Sequence, residues 1–438
     1  MTTIARVTAD WVLDSRATPT VEATVTLANG MSAFAQAPSG ASTGRHESVE
    51  RRDGDTGRFA GQGVEGAVRA VQGEISARLM GLDVTEQSII DLAMIALDGT
   101  EDRSRLGANA IVAVSAACAR AGASVRGIAL WEHLAGPRRA TLPLPMVNLF
   151  SGGLHAQGGM GIQDILVTPL GAPDEFTAIE WMHDVYRATA RILAERGAST
   201  LVGDEGGFGA PSHSSEDAIA LATEAIARSG RTPGTEVALT LDIAASHLLQ
   251  ADGSYLLDGI TQTRDGMLEA VAAWTERYPI VSVEDPMGED DWDGWVRAAG
   301  TLHPSIQLVG DDLICTHLDR LERAATGGCA NAVRVKANQI GTLTEALAVV
   351  DRSQQLGMRA VVSARSGETE DDWLADLAVA SGAGQIKVGS VARSERLAKY
   401  NRLLRIARTP EAPPFAGANG FDLVPPPSAS RPEDAASV

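Results

Sequence analysis

The sequence predicts an α/β protein: an N-terminal α+β domain followed by a closed α/β barrel. Three observations carry this. Strand-like runs come first and helical periodicity follows in the first third of the chain, the order of an α+β unit. From Met146 onward, short apolar runs alternate with helix-length amphipathic segments, a pattern that fits a closed barrel better than an open sheet. Several of those runs end in a carboxylate or a lysine, and barrel strand ends converge on one face.

The first elements are two strand-like runs, Ile4–Leu13 and Val21–Leu27, joined by the turn-prone Arg16-Ala17-Thr18-Pro19. Asn29-Gly30 is a hairpin signal leading into Ser32–Ala37, so a three-stranded antiparallel meander is expected. Pro38 to Gly44 is a loop of small residues whose backbone can approach a ligand closely. From Val64 to about Leu134 apolar residues recur at three-to-four spacing, as at Val68, Val71, Ile75 and Leu79, which predicts helices. Leu142-Pro143-Leu144-Pro145 separates this region from the alternating one.

Strands are expected at Met146–Phe150, Ile162–Val167, Thr200–Val202, Val237–Leu241, Ile280–Val283, Ile306–Val309, Ala332–Val335, Ala360–Val362 and Gln385–Val388. Helices lie between most of them, among them Glu175–Arg196, Ser215–Arg228, Asp265–Tyr278 and Leu343–Leu356. After Phe421 the chain holds Pro425-Pro426-Pro427 and then mostly small polar residues, and 422–438 is expected to be a disordered tail.

Composition narrows the function. A net charge of −19 argues against nucleic acid or an anionic membrane as partner, and disfavours an anionic substrate unless cations gather locally. Cys118, Cys315 and Cys329 show no zinc or disulfide spacing. Met1 to Trp11 has no apolar signal core, and no run approaches the ~18 apolar residues of a membrane span, so a soluble, cytoplasmic chain is expected.

Leu239–Leu241 runs into Asp242, Val281–Val283 into Glu284, and Leu308-Val309-Gly310 into Asp311 and Asp312. Each acid alone would pass as a helix cap or a solvated loop residue. Together they would repel unless a cation sat among them, and all-oxygen ligands suit Mg²⁺. The next strand ends at Lys336. Only three of the 37 basic residues are lysines (Lys336, Lys387 and Lys399), so a lysine kept here points to chemistry that an always-protonated arginine cannot do. Arg365, Ser366 and Gly367 suit a phosphoryl oxygen, and Glu205 lies in a glycine-flanked turn. Metals with a barrel lysine suggest removal of a proton α to a carboxylate, followed by acid-assisted loss of a leaving group.

At these residues the chain resembles the enolase family over nearly its whole length. The motifs run in the family's order: Leu13-Asp14-Ser15-Arg16, Ser39 to Gly44, Gly203-Asp204-Glu205-Gly206-Gly207, Gly310-Asp311-Asp312, Lys336 to Gly341, Arg365 to Glu370, and Ala392 to Arg396. The resemblance implies an N-terminal α+β capping domain over 1–138 and an enolase-type modified TIM (β/α)8 barrel over 139–421, with its second strand antiparallel. It implies two Mg²⁺ ions per active site, one tightly bound, a small phosphorylated or phosphonylated carboxylate as substrate, and a homodimer or higher oligomer. Carried over residue by residue, Asp242, Glu284 and Asp311 match the ligands of the tighter Mg²⁺. Lys336 matches the base, and Glu205 the acid that helps hydroxide leave. Ser42 matches a loop serine whose backbone meets the second Mg²⁺. Arg365 and Ser366 match phosphoryl contacts and Lys387 a carboxylate contact, while Gln163, Asp164 and His155 match the leaving-group side.

The departures cluster in the site. Ala364 stands where the family has His, and Asp164 where it has Glu; Ser151, Ile243, His247 and Ala17-Thr18 differ as well. Loss of the His ring should open room for a carboxylate-sized group beside Arg365, and Asp164 retracts its carboxylate by ~1.5 Å. A changed substrate follows as the expectation: a specialised lyase similar to carboxyphosphonoenolpyruvate synthase of phosphonate and phosphinate antibiotic biosynthesis. The alternatives are an ordinary phosphopyruvate hydratase and a non-catalytic binding protein on the same scaffold. The intact set Asp242, Glu284, Asp311, Lys336 and Glu205 speaks against the last.

Overall fold

Three antiparallel strands open the chain: β1 (Ile4–Leu13), β2 (Pro19–Leu27) and β3 (Ser32–Gln36). The computed structural model describes residues 2–156 and 159–421, so the tail expected at 422–438 lies outside the described residues. Along β2, Val21, Ala23, Val25 and Leu27 are buried, with partly exposed residues between them, the period-two pattern of a sheet covered on one face. The cover is the helix Ala108–Arg126, whose many alanines let it seat closely on β2 and β3. By length and composition this helix could cross a bilayer, but 83% of its 18-residue apolar window is buried within the protein, as befits a core helix.

The second part contains β4 (Leu144–Ser151), β5 (Asp164–Thr168), β6 (Phe208–Gly209), β7 (Ala238–Asp242), a hairpin of β8 (Tyr255–Leu257) and β9 (Ile260–Gln262), β10 (Ile280–Glu284), β11 (Gln307–Gly310), β12 (Ala332–Val335), β13 (Arg359–Ser363) and β14 (Gln385–Gly389). Eight of these, β4, β5, β7 and β10 to β14, form a ring that closes where β14 pairs with β4. β5 runs antiparallel to both its neighbours, and the other pairings around the ring are parallel. Met146, Leu166 and Val361 form a separate apolar cluster from β4, β5 and β13. β5 and β13 are not neighbours in the ring, so the cluster bridges its interior.

The strand expected at Thr200–Val202 is absent. Val202 makes only an isolated bridge to Phe208, and β6 pairs with β4 in its place. The reason is local: Gly203 N–H donates to the Gly207 carbonyl, Gly206 takes φ +83°, and the chain doubles back through Asp204 and Glu205. The other expected strands and the four named helices form within a few residues of their expected bounds. Asp174, Ser214, Thr263, Asp291 and Thr342 each cap a helix with a side-chain oxygen, which fixes where these helices leave the rim of the barrel.

Candidate active site

Parallel strands carry Asp242, Glu284, Asp311, Lys336, Arg365 and Lys387 to their C-terminal rim. β5, being antiparallel, brings Asp164 and the preceding Gln163 to the same rim by its start. Asp242 and Glu284 are register partners on β7 and β10. The three acids expected to hold a metal are buried on adjacent strand ends, with cationic groups among them. Lys387 Nζ pairs with Asp242 Oδ2 and lies 3.1 Å from Glu284 Oε2. Arg334, fully buried, grips Glu284 through both Nε, at 2.9 Å, and Nη2. Lys336 Nζ pairs with Asp311 Oδ2. Gln163 Nε2 donates to Asp242 at 3.3 Å and Gln339 Nε2 to Asp311 at 3.1 Å.

The electrostatics follow from burial and crowding. Burial raises Glu284, and the charges of Asp242 and Asp311 raise it further against the pull of Arg334 and Lys387. Burial works against the Lys336 ammonium, but Asp311, Glu47 and Asp312 together outweigh it and hold the proton on. An all-oxygen donor set, buried and already drawing ammonium groups between its members, fits a divalent cation. A second trio, Asp285, Asp311 and Asp312, brings carboxylate oxygens within 4.8 Å of one another. There Asp285 accepts the backbone N–H groups of Asp311 (3.0 Å) and Asp312 (2.8 Å), so it shapes the turn that presents Asp311.

On the opposite side His155 Nδ1 lies 3.0 Å from Asp164 Oδ2, and His155 Nε2 lies 3.9 Å from Glu205 Oε1. Asp164 is itself held by Asn148 Nδ2 at 2.7 Å and Ser151 Oγ at 3.2 Å. Burial disfavours the imidazolium, yet Asp164 and Glu205 together push His155 up to about 9. Burial likewise disfavours the Glu205 carboxylate, yet His155, Arg396, Lys387 and Lys336 hold it down to about 2. At neutral pH the proton of this group therefore rests on His155.

The loop before Arg45 reaches in from the N-terminal part. Ala41 N–H donates to Ser366 Oγ at 2.7 Å, and the Ser42 carbonyl accepts from Arg365 Nη2 at 2.9 Å. The Ser42 backbone, expected to meet a second cation, thus gives its carbonyl to Arg365. A Cβ at Gly40 would stand on that guanidinium, so only glycine permits the approach. What remains is a cavity of about 20 Å³, lined among others by Ser42, Glu205, Asp242, Lys336, Ala364 and Ser366. That is about the space of one water, and the extra room expected beside Ala364 is not open.

All thirteen expected positions thus surround one rim, with Ser42 and Arg365 facing each other across it. Sequence reasoning missed Asn148, Asp285 and Arg334. Asn148 could have been found, since it lies on β4 with Ser151 shortly after it. Arg334 could have too, as the charged member of an otherwise apolar strand.

Two family models match the chain. The one described as "Enolase, N-terminal domain" covers residues 4–134, and "Enolase, C-terminal TIM barrel domain" covers 139–422. A curated protein named "Enolase" from Kineococcus radiotolerans is 48% identical over 422 residues, which is 96% of this chain and 98% of that protein.

Proposed function

The chain belongs to the enolase family of hydro-lyases, and from that premise we propose that it eliminates water from 2-phosphoglycerate to give phosphoenolpyruvate. The observation that carries the reading is a base and an acid group on the walls of one small buried cavity: Lys336 on one side, Glu205 with His155 on the other. The name of the curated relative supports the ordinary substrate.

The steps assign each side chain a task. Arg365 and Ser366 bind the phosphoryl oxygens, and Lys387 binds the carboxylate. Lys336 Nζ takes the proton as the C2–H bond breaks. The C3–O bond then breaks, and hydroxide leaves as water with a proton that His155 holds and Glu205 relays. Asp164 orients His155 and keeps its proton in place until then. Asp242, Glu284 and Asp311 would hold Mg²⁺, which when bound supplies the charge that occupies Asp311, frees Lys336 to lose its proton, and acidifies the α-hydrogen of the substrate. A homodimer or higher homo-oligomer remains the expected assembly.

A second reading, the carboxyphosphono substrate, rests on the sequence departures Ala364 beside Arg365 and Ser366 and the shortened Asp164, although no extra room is open beside Ala364. One experiment separates the two. kcat/KM is measured for 2-phosphoglycerate and for the carboxyphosphono analogue, with the native chain and Ala364→His, before and after exhaustive chelation. Native turnover of 2-phosphoglycerate in the usual ~10⁴–10⁸ M⁻¹s⁻¹ range, lost on chelation, supports the ordinary reading. Poor turnover of it, with better turnover of the analogue and a reversal in Ala364→His, replaces it with the second.

A further inference from the structure

We infer that Glu47 is a positioning residue that fixes the aim of Arg365 and ties it to closure of the loop 40–44; the inference rests on reading Arg365 as the phosphoryl contact. Glu47 comes from the N-terminal part, yet its side chain is only 6% exposed because it is packed into the barrel rim. Its carboxylate accepts Arg365 Nη1 on Oε2 at 2.8 Å and Nη2 on Oε1 at 3.1 Å. The same Oε1 accepts the Gly44 N–H at 3.0 Å, at the end of the loop. It also accepts Gln339 Nε2 at 3.2 Å, and that nitrogen donates to Asp311 as well, the partner of Lys336. One carboxylate therefore joins the loop, the phosphoryl-binding arginine and the acid beside the base.

The geometry says what this junction does. Arg365 Nη1 also meets Asn338 Oδ1 at 2.9 Å, and Nη2 meets the Ser42 carbonyl at 2.9 Å. Among the described residues that leaves Nε–H without a protein partner. A guanidinium is a rigid planar fork, so holding both Nη atoms fixes the one direction in which Nε–H points. A plain counter-charge for Arg365 would need neither the Gly44 amide nor Gln339 on the same oxygen.

The test compares native chain, Glu47→Gln and Glu47→Asp in two assays: steady-state kinetics on 2-phosphoglycerate, and amide hydrogen exchange of residues 40–46 without substrate. Glu47→Gln should raise KM by about tenfold with kcat held within about threefold, the signature of lost uniform binding, and should speed exchange in 40–46 alone. Glu47→Asp keeps the charge and should recover part of both. An unchanged KM overturns the inference, as does faster exchange spread over the whole chain with kcat and kcat/KM falling alike. If the native chain does not turn over 2-phosphoglycerate, the proposed function fails separately, and Glu47 is judged by inorganic phosphate. About tenfold weaker phosphate binding in Glu47→Gln supports the inference, and equal binding overturns it.

Discussion

Replacing Arg334 by Met tests how the barrel tolerates its acids. Arg334 is fully buried and grips both oxygens of Glu284. Met fills much of the same volume, so little cavity cost is expected, and the loss should come from the charge left behind. Breaking a buried pair from one side costs about 3–5 kcal/mol. Glu284 keeps a 3.1 Å contact with Lys387, but Lys387 also serves Asp242, so the lower end, about 3 kcal/mol, applies. With an unfolding entropy of roughly 2 cal/mol/K per residue over ~400 residues, that is a fall in Tm of about 3–4 °C. The sign with pH is set by Glu284, whose folded pKa is already raised. A raised carboxylate binds more protons folded than unfolded, so the deficit should be full above the raised folded value and shrink as pH falls through it. The assay is calorimetry in chelator across pH, with the double variant Arg334→Met, Glu284→Gln as control. Removing the orphan charge should recover most of the loss. If the double variant is no more stable than the single one, the cost is packing and the electrostatic argument is refuted.

Two further outcomes concern the proton path. Lys336→Arg should abolish exchange of the C2 proton with solvent deuterium, and Glu205→Gln should keep some exchange while blocking elimination; deuterium wash-in by the Arg variant would move the base elsewhere. Asp164→Asn removes the larger of the two charges that raise His155, so the His155 titration, followed by NMR, should fall from about 9 towards the ordinary value. Because the native folded value is raised, His155 contributes stability fully below about 6.5 and loses it as pH climbs to about 9; the Asn variant, left with Glu205 alone, should show a shallower slope, and an unchanged slope would clear Asp164 of the role.

Some of this was legible in the sequence for reasons that can be named. Lys336 stood out because a chain that uses arginine almost everywhere kept a lysine at a strand end, and Asp242, Glu284 and Asp311 stood out because three successive strand-like runs each end in a carboxylate. The reversal of β5 was not legible from pattern, since a strand buried on both faces reads the same in either direction. Thr200–Val202 misled because a β-branched, apolar triplet looks like a strand while the glycines beyond it decide the path. Leu201, 80% exposed, shows how little of that triplet the core claims. Glu47 could not be read at all. Its meaning lies in a contact with Arg365, 318 residues away, and nothing in its own neighbourhood hints at that partner.

Closure of the ring through β14 and β4 also sets the order in which the protein can be made. Gln385 pairs with Leu144, so the first barrel strand waits for the last. At 5–20 residues per second, synthesis leaves β4 with an unpaired edge for on the order of 10–50 s. During that time Asp242 and Glu284 lack Lys387, the ammonium that later sits between them. A nascent barrel therefore carries an open edge on β4 and an Asp242 still without its ammonium partner, while Glu284 already has Arg334. The pairing that closes the ring thus also completes the charge balance of the site, since β14 brings Lys387 to the acids in the same step.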